Sequence, residues 1–327
     1  MKAHLMYRDR DLELYQLPAP NRHVRKQDED RNALLRALLW NAPALLQDLE
    51  LDTLLRAMAR GDEFVSEVAQ QVLFSGFENT ASVILYRQAI VKDCLRNPAG
   101  VRALYDLMTS AGEQTRRHWW GLSSEYPGSM LYSSVELMDT FVVVLRKLRV
   151  AAEKHAADFT SEGFKSFLSM LRSELNEDYL VTIKHRLKEL RFRRGVLLSV
   201  ELGEHNEGVQ YVLRRAHDKK ESWLNRLFGN GPSGYTFHLD PRDEAGGRIL
   251  TDMRNRGIIR AARALAQSAD HVLSFFQILR TELAFYVGCI NLHEEISARG
   301  MPIAFPVPRE PGESCREFRA STMYRWR

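Results

Sequence analysis

Cysteine is scarce in this chain and scattered where it occurs. Cys94, Cys289 and Cys315 are odd in number, far apart, and form no CxxC or Cys/His cluster. That pattern excludes a disulfide framework and a zinc site, and the expected compartment is reducing and cytoplasmic. Catalytic motifs are missing as well. No GxxxxGKS or GxxxxGKT loop cradles a phosphate, and there is no GxGxxG, GxSxG or HExxH. The ten histidines show no ligand spacing on one helix face. No catalytic residue, cofactor site or metal site is therefore expected in the chain. Long uncharged hydrophobic runs are also lacking. The most apolar stretch, His271–Leu292, carries Arg280 and Glu282 at its centre, which predicts a buried helix of a soluble protein and no membrane span. The opening residues MKAHLMYRDRDLELY hold charge throughout and no apolar core, so no secretory signal is expected.

Apolar residues make up 45% and charged residues 27% of the 327, a balance that predicts a packed core in one large or two ordinary domains. Residues 1–40 are polar and mixed, with Pro18 and Pro20, and read as an N-terminal arm with a short helix near Leu34–Leu39. A helical core is expected over 41–190. Gly61-Asp62 breaks its pattern, with Asp62 placed to cap a helix over Glu63–Leu73. Asn97-Pro98 marks another break, with Pro98 suited to a helix start. Apolar stripes run through Val135, Met138, Val142, Leu145, Leu148 and Ala152, through Phe164, Leu168, Leu171 and Leu175, and through Ile183, Leu187 and Leu190. The period then changes. A β insert is expected over 191–240, with a hairpin near Val196–Arg215 and a third strand at Tyr235–Leu239. A long helix follows over 241–300. Its residues Ile258, Ala262, Leu265, Ala269, Val272, Phe276, Leu279, Leu283, Tyr286 and Ile290 alternate spacings of four and three, a heptad seam. Gly246-Gly247 and Gly257 predict a bend or a late start, and Gly300-Met301-Pro302 a stop. Residues 301–327 read as linker and tail. The fold class expected is mainly α, a helical bundle with long helices and a small antiparallel β insert.

Charge is unevenly placed. Between Lys184 and Arg226 stand eleven Lys/Arg against six Asp/Glu, an excess larger than the +4 of the whole chain. Such a cluster either solvates an exposed hairpin or neutralises phosphates in a sequence-independent, salt-sensitive way. A long helix leading into a small sheet, and a longer one of about 60 Å leading away, favours a role at the sheet's surface.

The order of core, long helix, small sheet and returning helix resembles the core, lever and clamp of MutS-family mismatch repair proteins. The stretch LELDTLLRAMARGDEFVSEVAQQVL, followed by ENTASVILYRQAIVKDCLRNP, is similar to the start of that family's core. The run ADHVLSFFQILRTELAFYVGCINLHEEI is similar to its returning lever. The resemblance spans roughly 41–306, closest to divergent members without a mismatch-reading domain. It implies a clamp that touches the backbone of duplex DNA, with Arg193, Arg194, Arg214, Arg215, Lys219 and Lys220 as phosphate contacts. It also implies a possible homodimer, and levers moved by ATP and Mg in a full-length parent. The family's ATPase domain and mismatch-reading motif have no counterpart in this chain. Similar sequences continue with GLYDVSLA where this one has ASTMYRWR. Under one choice of codons, the first read one base later becomes the second, so one reading of the tail is a frameshift after Arg319 that removed the ATPase domain, and the other is a natural end in a short disordered tail. Two other readings stay open. One is a coiled-coil scaffold that dimerises through the heptad seam. The other is an enzyme using an acidic cluster such as Glu174, Glu177 and Asp178 to hold a metal. Trp119-Trp120 and the pair His293 and Glu294 are expected to serve structure.

Overall fold

A computed structural model describes residues 1–9, 42–74, 80–116, 124–193, 195–215 and 238–308. Among these the chain is mainly helical with one small two-stranded antiparallel sheet, as expected. The helices are α1 (Ala42–Asp48), α2 (Leu51–Ala59), α3 (Glu63–Phe74), α4 (Ala81–Arg96), α5 (Pro98–Arg116), α6 (Pro127–His155), α7 (Glu162–Glu174) and α8 (Glu177–Leu190). Strands β1 (Leu197–Leu202) and β2 (Gly208–Arg214) follow, and then α9 (Glu244–Ala298).

Local chemistry explains the boundaries. Asp62 Oδ1 accepts from the amides of Phe64 at 2.9 Å and Val65 at 3.2 Å, capping α3. Asn97 Oδ1 accepts from Gly100 N at 3.2 Å, and Pro98 occupies the first position of α5. The pair Gly246-Gly247 does not delay α9. Asp243 Oδ1 accepts from Gly246 N at 2.9 Å and so supports the first turn through both glycines. At the other end Gly300 adopts φ +67, with Met301 N bonded to Ile296 O and Gly300 N to Ser297 O. This is a Schellman stop, which satisfies the last carbonyls.

Two compact units share these helices. Unit 1 holds residues 1–116, 141–181 and 271–327, and unit 2 holds residues 117–140 and 182–270. Residues 10–41, 75–79, 117–123, 194, 216–237 and 309–327 lie outside the described set, including the expected helix near Leu34–Leu39, Trp119-Trp120 and the tail.

In unit 1 the predicted stripes are buried. Val142, Leu145, Leu148 and Ala152 of α6 and Phe164, Leu168 and Leu171 of α7 face the core. Phe141 meets Phe276 edge to face at 5.2 Å, and Phe159 stacks on Phe164 at 4.1 Å. In α9, burial spreads beyond the heptad seam, and Thr281, Glu282, Leu283 and Ala284 are all buried in succession. By length and composition α6 and α9 could each cross a membrane, yet 67% of the apolar window of α9 is buried inside the protein. Its charges are answered there. Arg280 lies 3.8 Å from the centre of the Phe64 ring and donates to Thr109 Oγ1 at 3.2 Å. Glu282 accepts from Leu5 N at 2.9 Å. Glu294 bridges Arg60 of the α2 C-terminus and Arg102 of α5, so it ties three elements together.

That Leu5 contact belongs to a larger arrangement. Ala3, Leu5 and Met6 are buried in unit 1, and side chains hold the backbone around them. Tyr286 donates to Leu5 O, Tyr86 to His4 O at 2.7 Å, and Arg87 Nε to Met6 O at 2.9 Å. Burial pushes the Tyr86 hydroxyl up to about 12, so it stays a donor.

Candidate nucleic-acid interface

The site expected on the β insert lies in unit 2. β1 and β2 pair in antiparallel register, with Leu198 opposite Leu213 and Ser199 opposite Val212, and a bulge follows between Ser199 and Glu201. Gln210 takes up the extra residue at φ +52, a left-handed conformation costly for a residue with a side chain. The loop closes where Gly203 N donates to Glu207 O at 2.8 Å. Leu198, Tyr211 and Leu213 are half-buried, while Leu197, Val212 and Arg214 are exposed. A third strand is not seen at His238–Leu239, and Tyr235–Phe237 lie outside the described residues.

The hairpin is seated on α9. A Cβ at Gly257 would fall on the Leu198 isopropyl group, 2.9 Å from Cδ1 and 3.1 Å from Cγ. A side chain at 257 would force Leu198 of β1 to move aside. One residue earlier, the Arg256 guanidinium lies 5.8 Å from the Tyr211 ring.

The predicted basic residues divide by partner. Arg193 is exposed and has no partner among the described residues. Arg214 donates through Nε to Ser199 Oγ at 2.9 Å on the exposed face of the hairpin. Arg215 is bound to Glu189 at 2.6 Å, and Arg186 reaches the same carboxylate at 3.0 Å. Slight desolvation of Glu189 opposes this, but hydrogen bonds from Arg186 and Arg215 outweigh it and hold the carboxyl below its ordinary range. Arg191 is neutralised by Glu136 at 3.0 Å and by Asp139, whose hydrogen bond raises the guanidinium further. Arg194, Lys219 and Lys220 lie outside the described residues. The structure thus brings Arg214 and Arg215 to the end of β2, but Arg215 shares its charge with an acid that a sequence count could not assign to it.

Sequence reasoning passed over a second basic set. Arg256, Arg260 and Arg263 of α9 are exposed, as is Gln267. Their spacing of four and three puts them on the side of the helix opposite the heptad seam.

The acidic cluster in unit 1 does not gather a metal site. Glu177 is bound to Arg146 at 2.6 Å and to Arg149 at 3.8 Å. Among the described residues no group of three or more His, Cys, Asp or Glu side chains is placed to hold a metal ion.

The family model described as the MutS2 N-terminal domain matches residues 79–299. No curated protein and no solved structure matches the chain. The match takes in α4 to α8, both strands and α9, and by it this chain belongs to the MutS2 N-terminal domain family.

Proposed function

We propose that this chain is a non-catalytic, duplex-DNA-binding part of a MutS2-type protein, with the hairpin of unit 2 acting as a clamp on the DNA backbone in the cytoplasm. The observation that carries the reading is the exposure of two arginines in unit 2 that no carboxylate among the described residues pairs with. Arg193 projects without a partner among the described residues, and Arg214 stands beside exposed Leu197 and Val212. Membership of the MutS2 N-terminal domain family supports it. Guanidinium groups on a small sheet neutralise phosphates and read no sequence. ATP and Mg would act through an ATPase domain and are not assigned to residues of this chain.

A labelled duplex titrated with the protein at rising salt tests the reading. Binding is expected to weaken linearly in log K against log salt, with a slope of about −0.9 per phosphate contacted. Changing Arg214, Arg215, Lys219 and Lys220 to Glu is expected to abolish it while the circular dichroism stays helical. Unchanged affinity in that variant rules the clamp out.

The scaffold reading is less well supported. Ile258, Ala262, Ala269, Phe276, Leu279, Leu283, Tyr286 and Ile290 of the heptad seam are buried within the chain, so a second copy could not pair through them without unfolding the protein.

A further inference from the structure

We propose that the DNA-binding surface of unit 2 continues onto the solvent face of α9, with Arg260 and Arg263 as phosphate contacts and Arg256 linking them to the hairpin. The inference rests on the clamp reading and adds residues that reading does not include.

The first argument is the composition of the helix. From Met253 to Ala269 there are four arginines and no Asp or Glu. Three arginines of α9 and its C-terminal end have an acid one turn away. Arg248 pairs with Glu244 at 3.1 Å, Arg256 with Asp252 at 2.8 Å and Arg299 with Glu295 at 2.8 Å. Arg260 and Arg263 have no partner among the described residues, and one turn before Arg260 stands Arg256. Like charges at that spacing destabilise a helix. Folding therefore gains nothing from this arrangement, whereas a polyanion lying along the face would reverse its sign.

The second argument is placement. At 3.6 residues per turn, Arg256, Arg260, Arg263 and Gln267 share one side of the helix, opposite Ile258, Ala262 and Ala269, which are buried. Ala264 and Ser268 beside the stripe are small and exposed, so a backbone can come close. The stripe begins where the hairpin sits, at the Arg256–Tyr211 and Gly257–Leu198 contacts, so it extends the same surface. From Arg256 to Arg263 the helix rises about 10 Å, and one DNA strand presents a phosphate about every 3.4 Å along the axis. The stripe thus spans about three phosphates, and its two unpaired charges, Arg260 and Arg263, can each meet one.

The chemistry also selects among polyanions. A lipid-binding helix needs an apolar face free to enter the bilayer, and here that face is buried. Single strands are held by stacking on aromatic rings, and the stripe has none. A duplex backbone remains.

The test uses the full chain and a labelled duplex of about 30 base pairs across roughly 50–200 mM salt. The variants are Arg260→Ala/Arg263→Ala, Arg260→Lys/Arg263→Lys, and the hairpin Glu variant above. The alanine pair is expected to lose about tenfold or more in affinity and to lower the salt slope by about 2, two contacts at about 0.9 each. The lysine pair, with charge kept, is expected to retain the slope, which separates lost contacts from lost folding. If the wild-type protein shows no salt-dependent duplex binding, both this inference and the clamp reading fall. If it binds, and the hairpin variant loses affinity while the alanine pair does not, the stripe is wrong and the clamp stands. Binding to phosphatidylserine vesicles without binding to the duplex overturns both.

Discussion

Asp93 is wholly buried, and its carboxylate holds Thr160 and Ser161, the residues just before α7, whose first turn is capped by the Ser161 hydroxyl. Its two oxygens accept from the Thr160 amide at 2.8 Å, the Ser161 amide at 2.5 Å and the Thr160 hydroxyl at 2.8 Å. Burial alone would raise this carboxyl. The hydrogen bonds from Ser161 and Thr160 outweigh burial and hold it below its ordinary value. In Asp93→Asn the side-chain oxygen can still accept from the two amides, but an NH2 replaces the oxygen that faces the Thr160 hydroxyl and the Arg96 guanidinium, and the expected cost is about 1–3 kcal/mol in urea unfolding at neutral pH. The pH dependence follows from the sign of the shift. A depressed folded value gives stability that is present above the unfolded value of 3.8 and is lost as pH falls through the folded one. The gap between wild type and Asp93→Asn should therefore be flat near neutrality and shrink below that value. A gap that widens in acid would contradict the assignment. Asp62 shows why one aspartate was legible and the other was not. Asp62 caps the helix that follows it directly. Asp93 serves an amide 67 residues away, beyond the reach of any local pattern.

The hairpin and α9 meet at Gly257, and there two effects of known size compete. Alanine in place of a mid-helix glycine gains up to about 1 kcal/mol of helix propensity. Pushing a methyl group into the Leu198 side chain costs about 1–3 kcal/mol. Gly257→Ala is expected to lower stability slightly, and Gly257→Val to lift the hairpin from the helix. The readout is faster hydrogen exchange of the β1 and β2 amides, and unchanged protection in the valine variant would show that the contact does not hold the hairpin. Much at this scale was legible. The stripes of α6 and α7, the break at Asn97-Pro98, the hairpin and the stop at Gly300 all follow from short-range chemistry, and all are present. What escaped was partnership. Glu189 pairs with Arg215, and Arg260 has no acid beside it among the described residues, yet a count of charges along the chain treats all arginines alike. Likewise the heptad spacing in α9 named one face, while Thr281–Ala284 are buried on every side because unit 1 surrounds that part of the helix.

At the scale of the whole molecule, residues 1–9 matter more than their polar look implies. Leu5 and Met6 are fully buried, and burying two such side chains contributes about 3–6 kcal/mol, a large share of the roughly 5–15 kcal/mol that holds a typical protein folded. Leu5→Ala is expected to cost about 2–5 kcal/mol, while Leu85→Ala, half exposed on α4, should leave the urea midpoint almost unmoved. Equal midpoints for the two variants would mean that the segment adds nothing to unit 1. The same contact also sets a schedule. Leu5 bonds to Glu282 and Tyr286, 277 and 281 residues further along. A ribosome adding about 5–20 residues per second needs about 15–55 s to travel that far. During that interval residues 1–9 have no home, and the helices that will enclose them carry bare apolar stripes. This part of the chain must therefore wait in a sticky, unfinished state for the far end of α9 to emerge, so its yield in the cell should depend on the pace of translation and on chaperones that shelter it meanwhile.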